Sequence, residues 1–261
     1  MPYAELGDVR LYYERAGSGE TELLFVPGWC CDHTAFQPQF DHFARTHTVT
    51  ALDPRGCGQS ERPEGGYAIP DFADDLARFC AKVGIEKPVV VGHSSGGMIA
   101  IELAARHPSV PGALVLVDPG PIDPLPETVK IFSAFLEQLE GPNGEDVRRT
   151  WVEDMGARDQ TLAGWIVDLM CSVPLPTATA VIRGVNSWNG IGALALCTVP
   201  TLLLRSALSA AANRVRLRGV RGSMDDEDDL GPSDAALRLR RSIPRRAASV
   251  TAIEHPGSSF M

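Results

Sequence analysis

No apolar run in this chain of 261 residues reaches the ~20 that a membrane-spanning helix needs, so no membrane partner is expected. The opening residues, Met1-Pro2-Tyr3-Ala4-Glu5, hold neither the basic nor the apolar region of a signal peptide, and a cytoplasmic location is the expectation. Cysteine is scarce. Cys30, Cys31, Cys57, Cys80, Cys171 and Cys197 show no C-x-x-C spacing and no dense framework, which points away from a disulfide scaffold. No cluster with metal-ligand spacing is visible either. A basic excess is missing too: Lys and Arg number 24 against 33 Asp and Glu, and the net charge of -9 argues against nucleic acid as a partner. Internal repeats are absent. What is present is 44% hydrophobic residues in a length suited to one large domain, or a core with an insertion.

The first part of the chain alternates strand and helix patterns. Residues 9–13 alternate as a strand, while 22–26 (Glu-Leu-Leu-Phe-Val) and 48–53 run nearly continuously apolar, as strands buried on both faces do. A helix is expected over about 71–83, with Asp71 as its N-cap, Phe72, Leu76, Phe79 and Val83 on one face, and Gly84 as its stop. Residues 113–118 form another apolar run, and the pattern resumes at 199–204. Strands separated by helices imply parallel crossovers, hence an α/β fold with a doubly wound, mostly parallel sheet. Between about 119 and 196 helix-like stretches such as 129–139 and 145–155 follow one another without a strand. That break in alternation predicts a helical cap (119–196) inserted into a core formed by 1–118 and 197–261. After Arg205 the charges fall into blocks: basic over 214–221, acidic from Asp225 to Asp229, basic again over 238–246. Such blocks read as solvated faces or loops.

Residues 89–97 read Val-Val-Val-Gly-His-Ser-Ser-Gly-Gly, with Ser94 at the apex of G-x-S-x-G between a buried strand and a helix of about 98–107. That turn is tight enough to demand small residues at Gly92 and Gly96, and it exposes the serine hydroxyl at the end of a sheet. Two further segments accompany it: Val26-Pro27-Gly28-Trp29 after an early strand, and Asp53-Pro54-Arg55-Gly56-Cys57-Gly58-Gln59-Ser60 after the next.

With these three motifs in this order, the chain resembles the α/β-hydrolase superfamily, specifically the capped serine esterases and lipase-like hydrolases of bacterial type. The resemblance covers most of residues 9–205 and implies Ser94 as a nucleophile that a base must activate. It implies an oxyanion hole from the backbone N–H groups of Ser95 and Trp29; losing one such donor costs ~2.7–4 kcal/mol in a comparable hydrolase. Trp29, Cys30 and His93 are the candidates for substrate contact, with buried packing as the competing reading for each. Asp53 and Arg55 are expected to be structural, and His33 is expected at the surface.

The other two triad members lie off the family pattern. The superfamily orders them serine, acid, histidine. The final strand is expected over 248–253, and the position aligned with the family histidine holds Ser258. His255, three residues earlier, is the candidate base; the alternative is a chain without a working one. No carboxylate follows the 199–204 strand, where the acid commonly sits. Asp118, one strand earlier, is the candidate, holding the tautomer of His255, with Asp225 to Asp229 as the alternative. Relatives commonly add a helix after the histidine, so an exposed sheet edge is expected here.

The resemblance therefore implies a hydrolase cleaving a small, fairly apolar carboxylic ester or lactone through an acyl-enzyme on Ser94, without metal or organic cofactor. The alternative is a degenerate hydrolase that binds a ligand or partner with little turnover. Carbon–carbon bond hydrolases and cofactor-free haloperoxidases or perhydrolases share the serine and stay open, because the inserted helices decide substrate.

Overall fold

The structure, a computed structural model, describes residues 2–122, 126–155, 160–206 and 250–255. The acidic block from Asp225 to Asp229 and the residues after His255 lie outside the described residues. Eight strands form one sheet: β1 (Tyr3–Glu5), β2 (Arg10–Ala16), β3 (Glu22–Val26), β4 (Thr48–Leu52), β5 (Val89–His93), β6 (Ala113–Val117), β7 (Thr201–Ser206) and β8 (Val250–His255). Their order across the sheet is β1-β2-β4-β3-β5-β6-β7-β8. The first two pairings, β1 with β2 and β2 with β4, are antiparallel, and every pairing from β4 through β8 is parallel. The mostly parallel, doubly wound sheet expected from the alternation is thus the one observed.

The parallel strands are apolar on both faces because helices cover both. On one side α2 (Ile69–Val83) and α3 (Ser95–Arg106) pack against Leu24, Val26, Val90, Leu114 and Leu116; on the other Phe36 and Phe40, the latter on α1 (Gln37–Phe43), cover Leu23, Phe25 and Val115. Fully burying one such side chain contributes about 1.5–3 kcal/mol. Helix α2 starts at Ile69, two residues before the expected cap. Asp71 instead serves from inside the first turn, where its carboxylate accepts the Ala68 N–H at 2.9 Å. Gly84 ends the helix at φ 72°, a left-handed conformation that glycine adopts without a Cβ penalty.

Between β6 and β7 come five helices and, among the described residues, no strand: α4 (Pro126–Leu139), α5 (Gly144–Asp154), α6 (Gln160–Cys171), α7 (Leu175–Ser187) and α8 (Gly190–Leu196). Two buried tryptophans tie them to the core. Trp29, in the loop after β3, donates its indole N–H to the carbonyl of Ala178 on α7 at 2.9 Å. Trp188, at the end of α7, donates to the buried Glu102 of α3 at 2.7 Å. The six cysteines are all free thiols, and no single described helix is long and apolar enough to cross a membrane.

Candidate active site

Because β3 to β8 run parallel, their C-terminal ends share one edge of the sheet, the edge where open α/β sheets collect their ligands. Ser94 leaves β5 there. Its φ of 52° and ψ of -120° lie in a sparsely populated region for a residue with a side chain. The strain is held from three directions. Its N–H donates to the Val117 carbonyl at 3.0 Å, and its carbonyl accepts from both Gly97 and Gly120 at 3.0 Å. The flanking glycines are required by close approach. A Cβ on Gly92 would stand 2.3 Å from the Gly96 carbonyl oxygen, and one on Gly96 would stand 2.1 Å from that of Val26. The strand–turn–helix expected around Ser94 is therefore present, with the helix opening directly at Ser95.

The loop after β3 lies against this turn. A Cβ on Gly28 would meet the Ser94 Cβ at 3.1 Å and His93 Nδ1 at 3.3 Å. Trp29 follows on the same loop, its side chain buried between the sheet and α7. Ser95 is the first residue of α3, so its N–H has no acceptor within the helix. Cys30 (φ 57°) and Cys31 are buried beside Trp29. Burial pushes the Cys30 thiol well up and that of Cys31 to about 12, which keeps both protonated. The His93 imidazole sits enclosed under Gly28; burial pushes its pKa down, with the nearby Asp118 charge acting against that.

The register fixes how far apart the remaining candidates stand. His93 pairs with Val117, Val117 with Leu204, and Leu204 with Ile253. Asp118 follows β6 one strand from Ser94, with φ 39° and its N–H on the Leu204 carbonyl at 2.8 Å. His255 is the last residue of β8, paired with Ser206 of β7. Three strand spacings separate its backbone from β5, about 14 Å at the usual inter-strand distance. The fold thus gathers Ser94, Ser95, Trp29, Cys30, His93 and Asp118 at one place and leaves His255 on the same edge, farther along.

Asp53 and Arg55 are structural, as expected. Asp53 is wholly buried and accepts from the Gln59 N–H at 2.7 Å, holding its own loop. Arg55 pairs with Asp75. His33 corrects the expectation of a surface histidine. It is buried, its backbone N–H and its Nδ1 both reach Asp53 Oδ1, at 2.8 and 2.6 Å, and its ring packs on Tyr12. Asp32, His33 and Asp53 bring ligand-type atoms within 4.8 Å of one another. Both Asp53 oxygens are engaged as described, and Asp32 Oδ1 accepts from the Thr34 N–H and hydroxyl at 2.9 and 2.5 Å. These bonds hold the loop together. Neither Arg148, a buried cation on α5, nor the Glu102–Trp188 contact carries a signal in the sequence.

Comparison with known proteins agrees with this architecture. A family model described as the alpha/beta hydrolase fold matches residues 22–169, more than half the chain. A stretch of 142 residues is 30% identical to 2-(acetamidomethylene)succinate hydrolase of Mesorhizobium japonicum, covering 52% of this chain and 51% of that protein. Another, of 118 residues, is 38% identical to a protein of Azorhizobium caulinodans named as the carbamate hydrolase RutD, covering 45% of this chain and 44% of that one. The chain thus matches about half the length of these relatives. Among solved structures, the enol-lactonase of Burkholderia xenovorans LB400 superposes with a TM-score of 0.73 at 18% identity, over 97% of this chain and 91% of that one, a likeness of fold. By its sheet order, its strained serine turn and the extent of that match, the chain belongs to the α/β-hydrolase fold family.

Proposed function

We propose that this hydrolase cleaves a small, fairly apolar carboxylic ester or lactone through an acyl-enzyme on Ser94. The observation that supports the reading is the strain at Ser94: a turn held by three hydrogen bonds and two obligatory glycines is costly unless the side chain it presents has a task. Ser94 attacks the carbonyl, and the backbone N–H groups of Ser95 and Trp29 take the charge that develops on its oxygen. His255 is the proposed base and Asp118 the residue that orients it. The helices α4–α8 act as a cap that excludes water and selects substrate. The relative named 2-(acetamidomethylene)succinate hydrolase is in keeping with a hydrolytic reaction.

A fluorophosphonate probe followed by intact mass tests this reading. One adduct on the native protein is expected, none on Ser94→Ala, together with p-nitrophenyl ester turnover that the same substitution abolishes. His255→Ala should lower that turnover by orders of magnitude, since triad members act as a unit. Folded protein that neither labels nor turns over would refute the proposal. It would favour the second reading, a ligand-binding protein without turnover, to which the three-strand separation of His255 from Ser94 lends support.

A further inference from the structure

Arg148 is the one large cation in the described helices α4–α8 that is buried without a buried counter-charge. Its side chain is 2% exposed, and it sits on α5 with the charged Glu145 one turn away. Nη1 donates to the Val173 carbonyl, and Nη2 donates to the Cys171 carbonyl at 3.1 Å and to Glu145. Nε, buried, has no acceptor. The contrast with Arg55 is direct. There Nε and Nη2 together take both oxygens of one buried carboxylate, Asp75. That edge of a guanidinium is built for side-on capture of a carboxylate. In Arg148 the same edge is half used, because Glu145 engages Nη2 alone and its side chain is 62% exposed.

A chain of aromatic contacts leads from this residue to the candidate active site. Trp151, one turn on and on the same side of α5, stacks on Phe135 with ring centroids 4.1 Å apart. Phe135 in turn packs edge-on against Trp29, at 5.7 Å, in the loop beside Ser94. The Arg148 charge also reaches the Cys30 thiol, where it opposes the effect of burial.

We infer that Arg148 recognises a carboxylate carried by the substrate, and that the substrate is therefore an acidic ester or lactone. Nε and Nη2 take the two carboxylate oxygens, and Glu145 turns out to solvent as the substrate enters. This rests on the ester-hydrolase reading and narrows it: the ester or lactone carries one carboxylate on an otherwise apolar frame.

Glutarate, a small dicarboxylate, is the probe. Calorimetry on the native protein should show one binding site, weakened about tenfold or more in Arg148→Met, the scale of losing one charge-assisted hydrogen bond. Glu145→Gln removes the competing carboxylate from an exposed position and should tighten glutarate binding, which keeps the test decisive if Arg148→Met fails to fold. Glutarate should also protect Ser94 from the fluorophosphonate probe. Absence of glutarate binding, or binding insensitive to Arg148→Met and not tightened by Glu145→Gln, overturns the inference even where Ser94 labels normally. Binding with the expected sensitivities but no labelling leaves the carboxylate site standing and brings down the ester-hydrolase reading alone.

Discussion

The Arg55–Asp75 pair offers a sharp test of the energetics. The guanidinium gives Nε and Nη2 to the two oxygens of Asp75 at 2.6 Å each, and the side chains are 5% and 3% exposed. They line a small cavity together with Leu11, Val26, Leu52, Phe72, Leu76 and Ile99. The two partners are not equivalent. Asp75 holds a second cation, Arg78, at 2.6 Å, whereas the next carboxylate to Arg55, Asp8, stands 3.7 Å away with its side chain 60% exposed. Asp75→Leu therefore strands a buried guanidinium, which costs about 3–5 kcal/mol. Arg55→Met removes both bonds but leaves Asp75 Oδ1 with Arg78 and only Oδ2 without a donor, and should cost less, about 1–3 kcal/mol, the range for one buried group left unsatisfied. The double variant should be more stable than Asp75→Leu alone, because the stranded charge is gone and apolar groups fill the site. Set against a total stability of about 5–15 kcal/mol, these differences are large. Urea denaturation followed by far-UV circular dichroism, with the denaturant slope unchanged, measures them. The reasoning fails if Arg55→Met is as costly as Asp75→Leu, or if the double variant loses the sum of the two.

Three further outcomes are expected. Gly96→Ala, whose Cβ would stand 2.1 Å from the Val26 carbonyl oxygen, should fail to accumulate as folded protein; Gly28→Ala, meeting the Ser94 Cβ at 3.1 Å, should fold and slow fluorophosphonate labelling by displacing the serine. His33 has its pKa raised above 6.5 by its hydrogen bond to Asp53, with burial acting against it. Its contribution to stability is thus full below about pH 6.5 and is lost as pH rises through the folded value; urea midpoints across pH 6 to 9 should fall more steeply for the native protein than for His33→Gln. Trp188→Phe deprives buried Glu102 of its donor and should lower stability by about 1–3 kcal/mol, read from thermal midpoints.

The strands that carry the site were readable because each is buried on both faces, and so appears as an unbroken apolar run: Leu23 to Val26, Val89 to Val91, Ala113 to Val117. Ser94 was readable because its turn demands glycine at fixed offsets. Other elements leave no such trace. Strand β1 has three residues and buries only Ala4. The turn His33–Phe36 is set by a side-chain cap from Asp32, a local bond that hydrophobic periodicity does not register. The burial of His33 depends on Asp53, twenty positions on, and nothing in the neighbourhood of His33 announces that partner. Arg148 stands next to Arg149 in a segment with Glu145 and Asp146, which reads as a solvated helix face; its burial follows from how α5 meets the end of α6.

The indole of Trp29 binds the Ala178 carbonyl while its backbone belongs to the loop that touches Ser94. The helices α4–α8 and the sheet edge that carries Ser94 are consequently not exchangeable parts. A chimera that imports α4–α8 from a relative must keep a carbonyl acceptor at the position of Ala178 and an aromatic edge at that of Phe135. Otherwise the graft alters the loop beside Ser94 as well as the proposed cap, and the two effects would be confounded.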